Sequence, residues 1–159
     1  VELPQSSKQI AQYEVERFAK RVSKTTSNSI QSIVEKGIIQ GLPVIEMADI
    51  IIVSKAFSFD RAYMIARTET TKQLNSSANE AFKTGVQQGV KMKKQWLSAR
   101  DDLVRDTHIY LNDVTINKPV GVNEEFVTDN GDAAEHPGGF GKGSEDINCR
   151  CTIIPYFED

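Results

Sequence analysis

Gly89-Val90-Lys91-Met92-Lys93-Lys94-Gln95-Trp96-Leu97-Ser98 is where the periodicity of the chain changes. Val90, Met92 and Lys94 form one alternating set and Lys91, Lys93 and Gln95 the other, a two-residue period that predicts a strand with one polar face, ended by Trp96. Everything before this stretch has a helical period. Ser58 stands where an N-cap belongs, Asp60 favours the helix dipole in the first turn, and Ala62, Ile65, Ala66, Leu74, Ala78, Ala81 and Phe82 keep helical spacing up to a stop at Gly85. Arg67 and Glu69 fall among these apolar positions, so one of them is expected to be partly buried and paired.

Further back, Gly41-Leu42-Pro43 ends one helix and starts another, because proline lacks a donor that the first turn does not need. The second helix, 43–55, is short and apolar on most sides. The first has its beat at Ile10, Tyr13, Phe18 and Val22, then at Ile30, Ile33, Val34 and Ile38. Between the two groups, residues 23–29 are Ser, Thr or Asn except for Lys24, side chains that compete for backbone hydrogen bonds and predict a kink or an exposed helical stretch.

Forward of the strand, 100–111 reads as a short helix or irregular turn. Residues 114–122 read as a turn and strand broken by Pro119 and Gly121, and 128–146, with five glycines and Pro137, as a long polar loop. Residues 147–157 read as a closing strand. Helices followed by a small sheet define an α+β fold, with long N-terminal helices packed on a small C-terminal antiparallel sheet with long loops. The organisation expected is a helical arm or lead-in over 1–40 and a main domain over 41–159.

A length of 159 residues accommodates one domain, with or without an arm. Hydrophobic types make up 39% and charged residues 26%, which leaves a lean core and excludes collagen and wholesale disorder; no apolar run is long enough for a membrane span. The formal net charge of −3 conceals an asymmetry. Residues 1–99 carry 14 Lys and Arg against 9 Asp and Glu, and residues 100–159 carry 5 against 13. A basic front and an acidic back suit different electrostatic partners, nucleic acid or protein among them, although such runs also serve as solvated faces. The chain opens at Val1 and runs into polar sequence, which reads as a piece of a longer protein with no secretory signal in view.

Side chains suited to acid-base work at neutral pH are few: two histidines, His108 and His136, and two cysteines, Cys149 and Cys151. The cysteines are too close in sequence for an unstrained bridge, which argues against a disulfide framework and for a reducing compartment at synthesis. On a strand both would project to one face, where they could ligate zinc if His108 or His136 closed the site; small buried hydrophobes are the other reading of free cysteine. Asp102, Arg105, Asp106 and His108 form a second constellation. As a nuclease, Asp106 would orient His108 and Arg105 would stabilise a phosphorane; as architecture, the group would be an ion-pair cluster holding a loop-rich half in place.

The ordered series Ala66-Arg67-Thr68-Glu69, Trp96, Asp102, Arg105-Asp106, His108, Leu111 and finally Ile147-Asn148-Cys149-Arg150-Cys151 resembles the phage Mu F-like head morphogenesis family of minor capsid proteins. That resemblance runs from about Gly41 to Pro155. It implies a non-enzymatic minor capsid protein of a tailed phage or prophage, made in the bacterial host cytoplasm and placed inside the procapsid near the portal. There it would help assembly and DNA packaging or delivery. The implied partners are the portal protein, capsid or scaffold proteins, and DNA bound without sequence preference. The implied pattern residues are Arg67, Glu69, Trp96, Asp102, Arg105, Asp106, His108, Asn148, Cys149, Arg150 and Cys151, none of them catalytic. Rival readings are a small nuclease or toxin-like effector using His108 and His136, and a zinc-stabilised interaction module. An ADP-ribosyltransferase would need a Glu-x-Glu near its end, whereas the chain has one only at Glu14-Val15-Glu16.

Overall fold

Proline and glycine divide the helical half where the sequence requires. The computed structural model describes residue 24 and residues 26–55 and 58–157; the beat from Ile10 to Val22 and the Glu14-Val15-Glu16 motif lie outside these. Helix α1 covers 26–40 and ends where Gly41 takes φ 68° and Leu42 N–H donates to Gly37 O (2.8 Å), a left-handed C-terminal cap. Helix α2 runs Val44–Lys55 behind Pro43, and α3 runs Phe59–Gln87 behind Ser58. The described residues from 26 to 29 are helical and largely exposed.

Ile30 and Val34 of α1, Met47, Ala48 and Ile51 of α2, and Ala62 and Ala66 of α3 form one buried cluster. The small alanines let α1 and α2 lie close against the start of α3. Helix α3 then continues for 29 residues, about 43 Å at 1.5 Å per residue, and its far end enters a second cluster. That cluster contains Trp96, Leu111, Phe126, Cys149, Cys151 and Ile153, with Ala78, Phe82, Val120 and Phe140 packed on it.

The second cluster is built on a three-stranded antiparallel sheet in the order β2-β1-β5, where β1 is Met92–Leu97, β2 Val120–Gly121 and β5 Thr152–Phe157. Trp96 stands opposite Ile153 and Lys94 opposite Pro155. A two-residue hairpin, β3 (Phe126–Val127) with β4 (Ala133–Ala134), and a four-residue helix α5 (Gly143–Asp146) interrupt the expected long loop. The α+β architecture is therefore as the sequence indicates.

Two local expectations give way. Helix α4 covers Asp106–Asn117, so the β-branched run Val114-Thr115-Ile116 is helical rather than part of a turn and strand. The cause is tertiary. Strand β2 is so short that β1 beyond Lys94 has no strand on that side, and α4 fills the place: Thr115 Oγ1 accepts from Trp96 N–H (2.9 Å) and Asn112 Oδ1 from Ser98 N–H (3.1 Å). Gln95 Nε2 answers by donating to the carbonyls of Thr115 and Ile116 at the end of α4. The closing strand starts at Thr152 rather than at 147, because Asn148 takes φ 58°.

Lys94, which alternates with Met92 on the less polar face of β1, is fully buried two residues before Trp96. Its Nζ donates to Asn79 Oδ1 (2.9 Å) and to Glu135 O (2.8 Å) and lies 5.1 Å from the centre of the Phe126 ring. Burial pulls its pKa down to about 8. The unfolded chain holds this proton more firmly, so the folding penalty is full below pH 8 and fades as the pH rises toward the ordinary lysine value of 10.5. At 1.36 kcal/mol per unit this is at most about 3 kcal/mol. Urea midpoints of the wild type should therefore rise from pH 7.5 to 9.5 relative to those of Lys94→Met; parallel profiles would refute the assignment.

Gly138 has φ 82°, and a Cβ there would come within 2.9 Å of Lys72 Cα, whereas one at Gly141 (φ 71°) would meet nothing within 4 Å. Alanine at Gly141 should cost about 1–2 kcal/mol from the left-handed backbone alone. Alanine at Gly138 should cost clearly more in chemical denaturation, because the α3 backbone cannot withdraw; equal losses would show that the loop lifts off the helix.

Candidate functional site

A polar stripe on α3 positions the Cys149-Arg150-Cys151 segment. Thr68, Thr71 and Asn75 recur at helical spacing and meet the backbone of 148–153 one after another. Asn148 N–H donates to Thr68 Oγ1 (3.0 Å), Thr71 Oγ1 donates to Cys149 O (2.8 Å), and Asn75 Nδ2 donates to Cys151 O (3.1 Å). Asn75 Oδ1 accepts from Ile153 N–H (2.9 Å), so this buried amide uses both ends on one strand. Four residues on, Asn79 joins Glu135 and Lys94. Glu135 also pairs with Lys83 at 2.7 Å, a contact that holds its carboxyl below and the Lys83 amine above their usual values.

With its backbone held by α3, the segment turns both cysteines to the inside and Arg150 outward. Arg150 grips Asp101 with two N–H groups (2.5 and 2.6 Å), a fork that lowers the Asp101 pKa and raises that of Arg150. Inside, His108 Nδ1 lies 3.4 Å from Cys151 Sγ and 3.7 Å from Cys149 Sγ. The three donor atoms lie within 4.8 Å of one another, and all three residues are buried. The Cys149 thiol hydrogen bond to Cys151, followed by His108, holds Cys151 down to about 5 against the opposing effect of burial. The same link, with burial, pushes Cys149 up.

On its other side His108 has a carboxylate at ion-pair distance, although Nε2 makes no hydrogen bond among the described residues. Glu145 Oε2 lies 3.1 Å from Nε2 and accepts from Thr107 Oγ1 (2.9 Å); Glu145 is itself buried, with 7% of its side chain exposed. The imidazole is stacked on Phe140 (5.8 Å between centroids) and edge-on to Trp96 (5.1 Å), which also packs edge-on against Phe126 (5.2 Å). A cleft of about 10 Å³ opens beside the donors, lined by Leu103, Val104, Arg105, His108, Asn148 and the 149–151 segment.

The pattern residues distribute as follows. Trp96, His108, Cys149 and Cys151 share the second buried cluster or contact it directly. Arg105 precedes α4 and donates to Ile147 O, while Asn148 supplies the left-handed turn before the cysteines. Arg67 is half-buried on α3, and its partner is an aromatic hydroxyl rather than a carboxylate: it donates to Tyr63 Oη (2.9 Å) and lies over that ring. Two residues away, Glu69 points elsewhere and keeps a buried Oε2 without a hydrogen-bond partner among the described residues. Asp102 and Asp106 are exposed, and the carboxylate on His108 belongs to Glu145 instead of Asp106. His136 turns Nδ1 to Pro137 O (3.0 Å) and is not part of the donor group.

Glu145 and the Thr68-Thr71-Asn75 stripe were missed from sequence. The stripe had a signal, polar residues at helical spacing on an alanine-rich helix; Glu145, one of several acids in a glycine-rich segment, had none.

This arrangement joins a long helix, a short sheet and a Cys-x-Cys segment fixed to both. The sequence matches the family described as phage Mu protein F like protein over residues 28–154, and the chain belongs to it. Among curated proteins it is 34% identical over 141 residues to an NAD(+)–arginine ADP-ribosyltransferase EFV of Enterococcus faecalis, covering 87% of this chain and 28% of that protein. It is 28% identical over 131 residues to the minor head protein GP7 of Bacillus phage SPP1, covering 80% of this chain and 40% of that protein. The chain thus spans well under half the length of these relatives. No solved structure matches. Among the described residues, no helix is long and apolar enough to cross a membrane.

The energetic weight of the α3 stripe can be measured. Asn75→Ala strands the buried Ile153 N–H and Cys151 carbonyl, each at about 1–3 kcal/mol, and should destabilise the fold by about 3 kcal/mol. Thr84→Ala, which loses only an exposed bond to Glu80 O on its own helix, should change stability by under about 1 kcal/mol. Similar losses at both sites in urea unfolding would show that the stripe does not carry the strand.

Proposed function

We propose that this chain is a non-enzymatic minor head protein domain that acts inside the procapsid near the portal, in assembly and in packaging or delivery of DNA. The observation that carries the reading is the family match over residues 28–154, with the resemblance to the SPP1 minor head protein beside it. Consistent with a scaffold, Arg105, Asn148, Arg150 and the donors around His108 direct their polar groups at other parts of the same chain. Two clefts among the described residues, of about 260 Å³ beside Leu111 and Phe126 and about 170 Å³ beside Ile38 and Leu74, are lined by none of the pattern residues. The portal protein, capsid or scaffold proteins and DNA are the proposed partners. Contact with DNA through the basic half would be insensitive to sequence and would weaken steeply with salt.

The similarity to the ADP-ribosyltransferase spans 28% of that protein, and its activity is not carried over to this chain. Two measurements test the proposal. Co-expressed with the portal protein of the same phage or prophage, the chain should co-purify with it and enter procapsids. Incubated with NAD+ and an arginine-bearing acceptor, it should release no nicotinamide. Reproducible transfer of ADP-ribose, or procapsids that assemble and package equally well without the chain, would overturn the reading.

A further inference from the structure

His108, Cys149 and Cys151 come from segments about forty residues apart and place three metal-ligating atoms together in a buried site. We propose that they bind one zinc ion through His108 Nδ1 and the two Sγ atoms, with Glu145 as the outer carboxylate on His108 Nε2. Around a tetrahedral zinc, with Zn–S about 2.3 Å and Zn–N about 2.0 Å, sulfur and nitrogen ligands stand about 3.6 Å apart. The two distances here are 3.4 and 3.7 Å, so one imidazole nitrogen already faces both sulfurs at ligand spacing.

Glu145 is the independent observation. A histidine that ligates metal almost always gives its other ring N–H to a carboxylate or carbonyl, which fixes the tautomer and the plane of the ring. Glu145 Oε2 stands 3.1 Å from Nε2, at ion-pair distance and one small ring rotation from that role, and is itself held by Thr107; the stacked Phe140 and edge-on Trp96 pack on the ring, whose Nε2 has no hydrogen-bond partner among the described residues. A buried carboxylate beside a buried histidine would be costly if the cluster served only to fill space. Two thiolates and an imidazole select zinc over the harder divalent ions. Binding consumes no oxidant: each thiol that ligates does so as thiolate and releases its proton to solvent.

The fourth position opens on the cleft of about 10 Å³, which holds about one water and no substrate. The ion therefore serves as a tie between α4, α5 and the 148–153 segment. This inference does not rest on the portal reading.

The full chain, produced with zinc and purified under reduction without chelator, should contain about one zinc per molecule by elemental analysis. Replacement by Co²⁺ should give thiolate-to-cobalt charge transfer and the intense visible bands of a tetrahedral site. Cys149→Ser, Cys151→Ser and His108→Gln should each lose those bands. Since these variants can fail to fold, Glu145→Gln supplies the second arm: it should remain folded by circular dichroism, keep the cobalt bands at saturation, and bind zinc about 10- to 100-fold more weakly. His136→Gln should bind like the wild type. Folded, reduced protein that takes up neither zinc nor tetrahedral cobalt in stoichiometric amount would overturn the proposal. So would cobalt bands that survive in the Cys149→Ser, Cys151→Ser double variant, or an affinity unchanged in Glu145→Gln.

Discussion

Backbone donors and acceptors buried without partners are costly, and the segment from Asn148 to Ile153 faces a helix where a strand would otherwise satisfy them. Helix α3 substitutes for that strand with side chains. Thr68, Thr71 and Asn75 read the backbone at the rise of a helix rather than of a strand, and the left-handed turn at Asn148 brings the two spacings together. Once this register is set, the alternation of an extended chain sends Cys149 and Cys151 to His108 and sends Arg150 out to Asp101. The position of every distinctive residue in the C-terminal half follows from these few polar contacts.

The lean composition explains why polar groups have this role. The two apolar clusters sit at opposite ends of α3, each with only six or seven fully buried members, and the helix between them is held by hydrogen bonds more than by hydrocarbon. Charge asymmetry along the chain is partly resolved the same way. Lys83 and Lys94 from the basic half converge on Glu135 of the acidic half, one through its carboxylate and one through its carbonyl. The two halves of the sequence are therefore complementary within one molecule, besides whatever they offer to partners.

Local signals were legible where local chemistry decides the outcome. Pro43, Ser58 and Gly41 mark helix boundaries within a residue or two of where they lie, Gly85 falls inside α3 two residues before its end, and the change of period after Gly89 finds β1. Legibility ended where a distant segment decides. Val114-Thr115-Ile116 has the composition of a strand, yet Thr115 is needed at the unpaired flank of β1 and is helical there. Lys94 alternates with Met92 as the period demands, but its burial depends on Asn79 and on a carbonyl some forty residues later. For the site, the joining of His108 to the cysteines was open in sequence as one of two histidine choices. Its acid partner was sought two residues away on the same helix, whereas Glu145 arrives from a four-residue turn across the fold.

Strand β5 closes the sheet with no strand beyond it among the described residues, a position that in many proteins invites a second chain to add itself. Here the outward direction is disarmed residue by residue. Ile153 N–H points off the sheet and is occupied by Asn75, and the same parity falls next on Pro155, which has no hydrogen to offer. At Ile153 and Pro155, then, this border has no free N–H with which an added strand could pair.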